Sequence, residues 1–303
     1  MGIGYLGARM MWDARRRGVR FDQVLTLGHQ SLHLFPAEVA FFRDAYQQEF
    51  KGSVASIDDY DWDDYADGFL RDFLGAASVT VLDASSYEGA DTIHDMNVPV
   101  PTAWHGRYDA IVDGGSLEHI FDIPTAFTNL ANMLKVGGTI FVNTPANNMM
   151  GHGFYQFSPE LMFRIFCEDN GFELQDVLLY EAGYPSVELT KKDTVYKVVD
   201  PVQIHKRVGL VNSKPVIMMV EARKVRDVPM FEKPPHQSDY AAMWKAPDGG
   251  HAGSTLLHRV RRALGALPPS VQAPLLGRRE NWNYSLRNKG FYSRQRWLTR
   301  DLS

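Results

Sequence analysis

The sequence predicts an α/β protein: a largely parallel sheet with flanking helices, followed by a basic C-terminal extension. Short apolar runs alternate with stretches of helical periodicity, which is typical of βαβ units. Several of these runs end in Gly or Asp, as strands do where the chain turns toward a helix. The chain has 303 residues, enough for one large domain with a sizeable appendage, and an ordinary globular composition.

Apolar runs of strand length recur through the first 226 residues, and the first of them enters the stretch VLTLGHQSLHL. The first five predicted strands cover residues 23–28, 78–83, 92–94, 108–113 and 138–144. Residues 172–180 and 215–222 are predicted to form a closing pair of strands. The segment 181–214 between them reads as an insertion with no clear pattern.

Helices are predicted between several of these strands. One spans residues 36–50, because Pro36 suits a first helical turn. The acidic stretch 58–75 has apolar residues at helical spacing (Tyr65, Phe69, Leu70 and Phe73) and predicts an exposed helix with a wet acidic face. Helical periodicity over 123–134 ends at KVGG, and Ser158 with a following proline is a strong start for a helix over 158–170.

Charge is distributed unevenly along the chain. Residues 251–303 carry 10 Lys/Arg against 2 Asp/Glu, whereas the remainder carries 22 against 34. Together with a Pro- and Gly-rich stretch, this predicts an α/β domain over 1–226, a linker over 227–253 and a basic extension over 254–303. The extension holds a short amphipathic pattern over 256–267. Such a helix can lie on an anionic membrane surface, dock on a partner protein or pack on its own domain, and the last is favoured.

Composition excludes several classes of protein. A single cysteine, Cys167, rules out an intrachain disulfide and favours a reducing, cytoplasmic location. The N-terminal order, an apolar stretch followed by Arg15, Arg16 and Arg17, is the reverse of a secretory signal. The acidic body disfavours nucleic acid as a partner, although the tail interleaves arginine with aromatic residues.

Candidate ligand residues follow the predicted strands. Ligands of open parallel sheets bind at the carboxyl ends of the strands. Gly28, Asp83, Asp95 and Asp113 are at such positions. An ionised carboxylate there can accept hydrogen bonds from two ribose hydroxyls. One such Asp is better explained as a helix cap, but three in succession favour a ligand.

The segment YDAIVDGGSLEHIFDIPTAFTNLANMLKVGGTIFVNTP resembles the second half of class I S-adenosylmethionine-dependent methyltransferases. The family often shows a fourth strand, Leu-Glu-His, a helix ending in Leu-Lys-x-Gly-Gly, and a fifth strand. The later run GHGFYQFSPELMFRIFCEDNGFEL is similar to the family's aromatic loop, Ser-Pro-Glu helix and Gly-Phe strand start. The resemblance covers roughly residues 23–223 and is strong over 108–174. It implies a Rossmann-like fold with S-adenosylmethionine as cofactor.

The resemblance also implies roles for particular residues. Asp83 matches the residue that holds the cofactor ribose, and Asp95 matches the acidic residue beside the adenine amine. The stretch Asp113, Gly114 and Gly115 falls near the methyl-bearing sulfonium. The chain departs from the family in two places: only Gly28 stands in the glycine-rich loop, and residues 85–91 are too few for the usual helix. Gln30 is predicted to replace glycine backbone contacts to the cofactor.

Histidines raise two further hypotheses. HQSLH resembles a metalloprotease zinc motif, but Gln30 stands where that motif needs its Glu base and the segment lacks helical character, so no metal site is predicted. His152, in a glycine-flanked loop, and His119 are the candidate catalytic bases if the acceptor is a hydroxyl. For His119 a role in starting the helix is favoured. Methyl transfer needs mainly alignment, so a mechanism without a base stays open.

The leading expectation is methyl transfer from S-adenosylmethionine to a small molecule, a sugar or a lipid-linked acceptor. The alternative is a non-catalytic protein of the same fold that acts as a binding or scaffold partner. A metal-dependent hydrolase that uses the histidines is a third hypothesis. The identity of the acceptor is not encoded in any motif of this sequence.

Overall fold

The computed structural model describes residues 2–50, 64–183, 194–245 and 281–296, together with Gly265, Pro268, Ser270 and Gly277. The chain divides into two compact units. The first comprises residues 1–197, 214–235 and 294–303, and the second comprises residues 198–213 and 236–293. Among the described helices, none combines the length and the apolar character that a membrane crossing requires.

The described strands are numbered in chain order. They are β1 (Gly2–Gly4), β2 (Gln23–Leu27), β3 (Ser31–His33), β4 (Ser78–Asp83), β5 (Thr92–Ile93), β6 (Tyr108–Asp113), β7 (Leu134–Asn147), β8 (Phe172–Glu181), β9 (Thr194–Val198), β10 (Val216–Lys224) and β11 (Tyr292–Arg296). Strands β1 and β3 pair in parallel as a separate small sheet. The other described strands form one sheet in the order β11-β9-β8-β10-β7-β6-β2-β4-β5.

The centre of this sheet is parallel. Strand β2 pairs in parallel with β4 on one side and β6 on the other, so the chain order reverses at β2. Strands β6 and β7 are also parallel. Strand β10 runs antiparallel between β7 and β8. The carboxyl ends of β2, β4, β5 and β6 therefore lie along one edge, where the candidate residues were predicted to meet.

The described helices are α1 (Tyr5–Arg16), α2 (Pro36–Phe50), α3 (Asp67–Asp72), α4 (Ile123–Met133), α5 (Pro159–Ile165), α6 (Pro201–Ile204) and α7 (Ser238–Lys245). The predicted helix over 36–50 is confirmed. Asp122 caps α4 by accepting a hydrogen bond from the Thr125 amide, and Ser158 caps α5 through the Leu161 amide. The predicted helix over 158–170 is divided: α5 ends at Ile165, and a short 3-10 turn covers Glu168–Asn170. Gly171, with φ of +79°, ends that turn.

Several predictions needed correction. Helix α1 was not predicted, because its N-cap residue, Gly4, has no side chain that could signal the start of a helix. Of the helix predicted over 58–75, residues 58–63 lie outside the described residues, and within the described part α3 covers only Asp67–Asp72. Phe69, Leu70 and Phe73 are buried in the core rather than exposed. A helix, α7, occupies residues 238–245 of the segment predicted as a linker. The predicted insertion contains β9 and α6, and the amphipathic pattern over 256–267 lies outside the described residues except Gly265.

Aromatic packing joins the N-terminal helices on one face of the sheet. The rings of Trp12, Phe42, Phe69 and Phe73 are fully buried and meet mainly edge to face, with centroids 5.3–6.5 Å apart. Each such ring buries a large apolar area, and the edge-to-face geometry adds to the stabilisation. This packing holds α1, α2 and α3 together, so the apolar part of the acidic stretch serves the core.

A charge pair connects the end of α1 to the middle of the sheet. The carboxylate of Glu221 on β10 is buried, and Arg17 Nη2 approaches its two oxygens at 2.7 and 2.5 Å. Burial raises the pKa of Glu221, and the Arg17 guanidinium opposes that shift. The charged carboxylate therefore depends on its half-exposed partner.

Replacing Arg17 by Gln should lower the free energy of unfolding by about 1–2 kcal/mol at about pH 8, because it leaves a buried charge without its cation. The loss should shrink as the pH falls through the raised pKa of Glu221, since the protonated carboxyl needs no counter-charge. Urea unfolding at about pH 8 and about pH 5.5 measures both effects. Arg16→Gln is the matched control, because Arg16 forms an exposed pair with Glu49. Equal losses for the two variants at both pH values would contradict the prediction.

Candidate functional site

A cavity of about 210 Å³ opens at the carboxyl edge of the parallel strands, where the chain order reverses. It is lined by the ends of β2, β4 and β5 and by the turn after β6. The lining residues are Leu27, Gly28, Leu82, Asp83, Ala84, His94, Asp95, Met96, Asn97, Ser116, His119 and Ile120. Three predicted cofactor residues, Gly28, Asp83 and Asp95, are thus brought together with the predicted base His119.

The loop after β2 is held by a glutamine. Gly28 has φ of +70°, a conformation that favours glycine, and a side chain there would contact Ser116 Oγ at 3.2 Å. Gln30 is only 2% exposed and is not among the residues that line this cavity. Its amide Nε2 donates to the Leu27 carbonyl and lies 3.4 Å from Ser116 Oγ. Gln30 therefore joins the β2 loop to the β6 turn, and its predicted contact with a cofactor stays a prediction.

The two histidines of HQSLH do not converge. His29 stacks on Tyr65, and its ring nitrogens lie 2.7 Å from the Glu88 carbonyl and 2.9 Å from Asp67 Oδ2. Its ring therefore ties the β2 loop to the start of α3 and to the loop after Asp83. A side chain at Gly2 would collide with His33, whose ring packs against the first strand.

Two carboxylates line the cavity from the side of β4 and β5. Asp83 Oδ1 accepts a hydrogen bond from the Ser85 amide at 3.1 Å, so it also shapes its own turn. Asp95 is exposed and accepts from the backbone and the side-chain amide of Asn97, which lowers its pKa. Asp95 therefore presents a carboxylate that stays ionised.

Asp113 organises the turn after β6. Its carboxyl is 1% exposed, and Oδ1 accepts from the Ser116 amide at 2.7 Å. Burial and the neighbouring Glu118 raise its pKa well above the ordinary range, although backbone hydrogen bonds from Ser116, Leu117 and Gly115 oppose the shift. Asp113 is not among the residues that line this cavity. Its observed contacts are with its own turn, and its predicted contact with a cofactor stays a prediction.

Glu118, His119 and His152 form a cluster on the far side of that turn. Glu118 is fully buried, and its Oε2 accepts from Thr144 Oγ1 at 3.1 Å. His152 Nε2 lies 3.2 Å from Glu118 Oε1, and the rings of His119 and His152 meet edge to face at 5.2 Å. Burial raises the pKa of Glu118, with Thr144 and His152 opposing it. Partial burial, and then His152, lower the pKa of His119.

A second cavity of about 160 Å³ lies on the Glu118 side of the turn. Its lining comprises Gly2, Gly4, Gly114, Gly115, Glu118, Asn143, Thr144, Pro145, Met149, His152, Tyr180 and Ile217. The residues from Gly114 to Ile120 therefore border both cavities. The predicted bases lie on different sides, His119 at the first cavity and His152 at the second.

The His152 loop rests directly on the backbone of Glu118. Gly153 has φ of +74°, and a side chain there would approach the Glu118 carbonyl to 2.7 Å. The Phe154 amide donates to the same carbonyl at 2.7 Å. Only glycine permits this close approach, so the loop and the turn form one unit.

Two positioning residues, Asn129 and Thr144, were not among the residues predicted from the sequence. Asn129 on α4 is buried, accepts from the Val100 amide and donates to the Val98 carbonyl, which holds the Asp95 loop. A polar residue on the apolar face of a predicted helix was the available signal. Thr144 on β7 orients Glu118, which lies 26 residues earlier in the turn after β6, and no local signal exists for this contact.

The strand order and the antiparallel insertion of β10 decide the fold. It is a Rossmann-like α/β fold. The predicted fold class is therefore confirmed, including the missing helix: the described residues 84–91 between β4 and β5 contain none.

Comparisons with known proteins gave matches among solved structures only. No protein-family model matches the sequence, and no curated protein does. A putative methyltransferase from Bacillus halodurans is 9% identical, with a TM-score of 0.40, over 72% of this chain and 99% of that one. The YcgJ protein of Bacillus subtilis is 11% identical, with a TM-score of 0.40, over 73% and 99%. A Burkholderia thailandensis didemethyltoxoflavin methyltransferase, crystallised with S-adenosylhomocysteine, is 13% identical, with a TM-score of 0.38, over 73% and 79%.

Substituting Gly114 by Ala should destabilise the protein by about 1–3 kcal/mol, because the added carbon collides with the buried Gln30 amide. Adding Gln30→Ser to the Gly114→Ala variant should restore part of the lost free energy of unfolding, because it removes the colliding atoms. A double-mutant cycle of urea unfolding measures this coupling. Strictly additive losses would contradict the contact between the two positions.

The free energy of unfolding of the Asp113→Asn variant should increase relative to that of the native chain as the pH rises. At low pH the Asp113 carboxyl is protonated in both states and contributes nothing. At higher pH it ionises in the unfolded chain while the folded state retains the proton, which lowers the native stability by up to about 1.4 kcal/mol per pH unit until the raised pKa is reached. Unfolding free energies of both chains between about pH 5 and about pH 8 test this. A constant or shrinking difference would contradict it.

Proposed function

We propose that the protein binds S-adenosylmethionine in the cavity at the carboxyl edge of the parallel strands and transfers its methyl group to a small-molecule acceptor. The observation that carries the proposal is the convergence of Gly28, Asp83 and Asp95 on one cavity at the reversal of strand order. Open α/β sheets bind nucleotide-like ligands at this position.

The cavity suits the nucleoside part of the cofactor. Gly28 leaves free the space that a Cβ atom would occupy beside Ser116 and Asp83. Leu27, Leu82 and Ile120 supply apolar walls for a flat base. At about 210 Å³ the cavity is smaller than typical drug-sized sites, so we expect it to take one part of the cofactor, with the rest extending outward.

Asp83 and Asp95 would hold the cofactor by its polar groups. Asp83 uses one oxygen in its own turn, and the carboxylate retains further acceptor capacity for a ribose diol. The Asp95 carboxylate, kept ionised by Asn97, would accept from the amine of the base. Asn129 fixes the backbone next to Asp95, so that carboxylate is positioned before the ligand arrives.

When bound, the cofactor would supply a methyl group on a positively charged sulfur. An acceptor lone pair would form the new bond to the methyl carbon, and the sulfur would keep the electron pair of the broken C–S bond. The chain's own contribution is alignment and exclusion of water. The turn from Gly114 to Ile120 borders the cofactor cavity on one side and the second cavity on the other. We therefore assign the second cavity to the acceptor, with His152 beside the acceptor's nucleophilic atom.

The turn that carries Glu118 and the loop that carries His152 also present a surface that suits an acceptor with a flat or apolar part. Phe121 and Phe154 are 70% and 67% exposed, and their rings meet edge to face at 5.7 Å. Tyr155 donates a hydrogen bond to the Phe121 carbonyl, which ties the two loops together. Exposed aromatic rings held in this way are common at binding surfaces.

Asp83→Ala should weaken binding of S-adenosylhomocysteine by roughly 10- to 100-fold, the value of charged hydrogen bonds to a ribose diol. Isothermal titration calorimetry of the full chain measures the affinity directly and requires no acceptor. Asp169→Ala is the control, since Asp169 pairs with Lys233 on the surface. Equal affinities for the two variants would remove Asp83 from the site.

Absence of S-adenosylhomocysteine binding by the native chain would overturn the proposal itself. That result would favour the alternative, a non-catalytic protein that retains the fold and binds a partner. Circular dichroism of the same sample separates loss of binding from loss of folding.

A further inference from the structure

The cluster of Glu118, His119 and His152 contains three groups that commonly ligate metal ions. One ligand atom from each residue lies within 4.8 Å of the other two. Glu118 and His119 are adjacent in the turn after β6, whereas His152 comes from the loop after β7. The tertiary fold therefore assembles the three groups, and no sequence motif places them together.

One oxygen of the buried Glu118 carboxylate accepts no well-aligned hydrogen bond from the described residues. Glu118 is fully buried, and among the described residues no donor is oriented to hydrogen-bond Oε1, although His152 Nε2 lies 3.2 Å away. Thr144 occupies the other oxygen and fixes the plane of the carboxylate. A buried carboxylate oxygen aimed at two imidazole rings is stabilised when a cation takes the space between them.

We propose that Glu118, His119 and His152 bind one divalent transition-metal ion at the border of the two cavities. Two imidazoles and a carboxylate are the ligand set of many zinc and iron(II) sites with open coordination positions. Tetrahedral ligands at zinc distances lie roughly 3.4 Å apart. The three ligand atoms, which lie within 4.8 Å of one another, would move closer together on binding the ion.

The position of the site indicates what the ion would bind. His119 lines the first cavity, and Glu118 and His152 line the second. An ion held by all three would face the place where an acceptor atom meets the methyl donor. Resting on the proposed methyl transfer, the acceptor class is then a hydroxyl compound, whose oxygen binds the ion. A metal-bound hydroxyl releases its proton to solvent more readily and keeps the electron pair on oxygen.

This assignment changes the role of His152. Its Nε2, which a base would use to take the acceptor proton, instead coordinates the ion. Glu118 is then a metal ligand held in place by Thr144, and Thr144 is a positioning residue.

Metal binding by the full chain tests the site without any turnover. After chelator treatment and dialysis, Zn²⁺ is titrated by calorimetry, and bound zinc is counted by elemental analysis. We expect one equivalent to bind saturably in the native chain. His119→Ala and His152→Ala should each weaken that binding by more than the roughly 10- to 100-fold that loss of an outer-shell partner costs. His105→Ala is the matched control, because His105 is an exposed histidine outside the cluster.

Zinc affinity that is the same in all four chains would overturn the site and identify the bound metal as adventitious. Absence of saturable binding in the native chain would overturn it as well. Glu118→Gln adds a test of the carboxylate, and the histidine variants keep the question decidable if that buried change prevents folding. S-adenosylhomocysteine titrations without metal separate the two proposals. If the chain binds S-adenosylhomocysteine but no zinc, only the metal site is overturned. If it binds zinc but no S-adenosylhomocysteine, the proposed function is overturned.

Discussion

The buried carboxylate of Asp113 is the constraint on which the rest of the site depends. It is withdrawn from solvent at the end of β6 and accepts backbone hydrogen bonds from the turn that follows. These bonds fix the path of residues 114–120, and that path separates one cavity from the other. Burial without a cation is unfavourable for a carboxylate, as its raised pKa indicates. The turn is thus held by a group that lowers stability at neutral pH, a pattern typical of functional sites.

Around this turn the protein uses side chains to fix loops that regular structure does not reach. Asn129 on α4 binds the backbone on both sides of residue 99 and so holds the loop that carries Asp95. The Glu118 carbonyl receives the Phe154 amide, and the adjacent Gly153 permits the close approach. The two cavities therefore have walls that are preformed, and binding there would not require the chain to order itself first.

Local pattern was enough to predict the central parallel strands, because buried parallel strands are continuous apolar runs, as in β4 and β6. The short strands β1 and β3 and the edge strands β9 and β11 were not predicted. The capped starts of α4 and α5 were equally accessible, since Asp122 and Ser158 act within three residues. Helix α1 was missed because its N-terminus has no cap and its stability comes from Trp12 and other residues that pack on distant aromatic rings. The site followed the same division. Gly28, Asp83 and Asp95 follow strands and were found, whereas the proximity of Glu118 to His152 exists only after β7 brings its loop back.

The single glycine in the loop after β2 has a physical explanation in the neighbouring turn. A loop rich in glycine can approach a ligand closely because it has no side chains to displace. Here Gln30 turns inward instead, joins the Leu27 carbonyl to Ser116, and occupies the space above Gly114. This packing requires a residue without a Cβ in the turn after β6, where Gly114 accommodates the glutamine. Gly28 lines the cavity, and the loop is held by a side-chain amide rather than by a series of glycine turns.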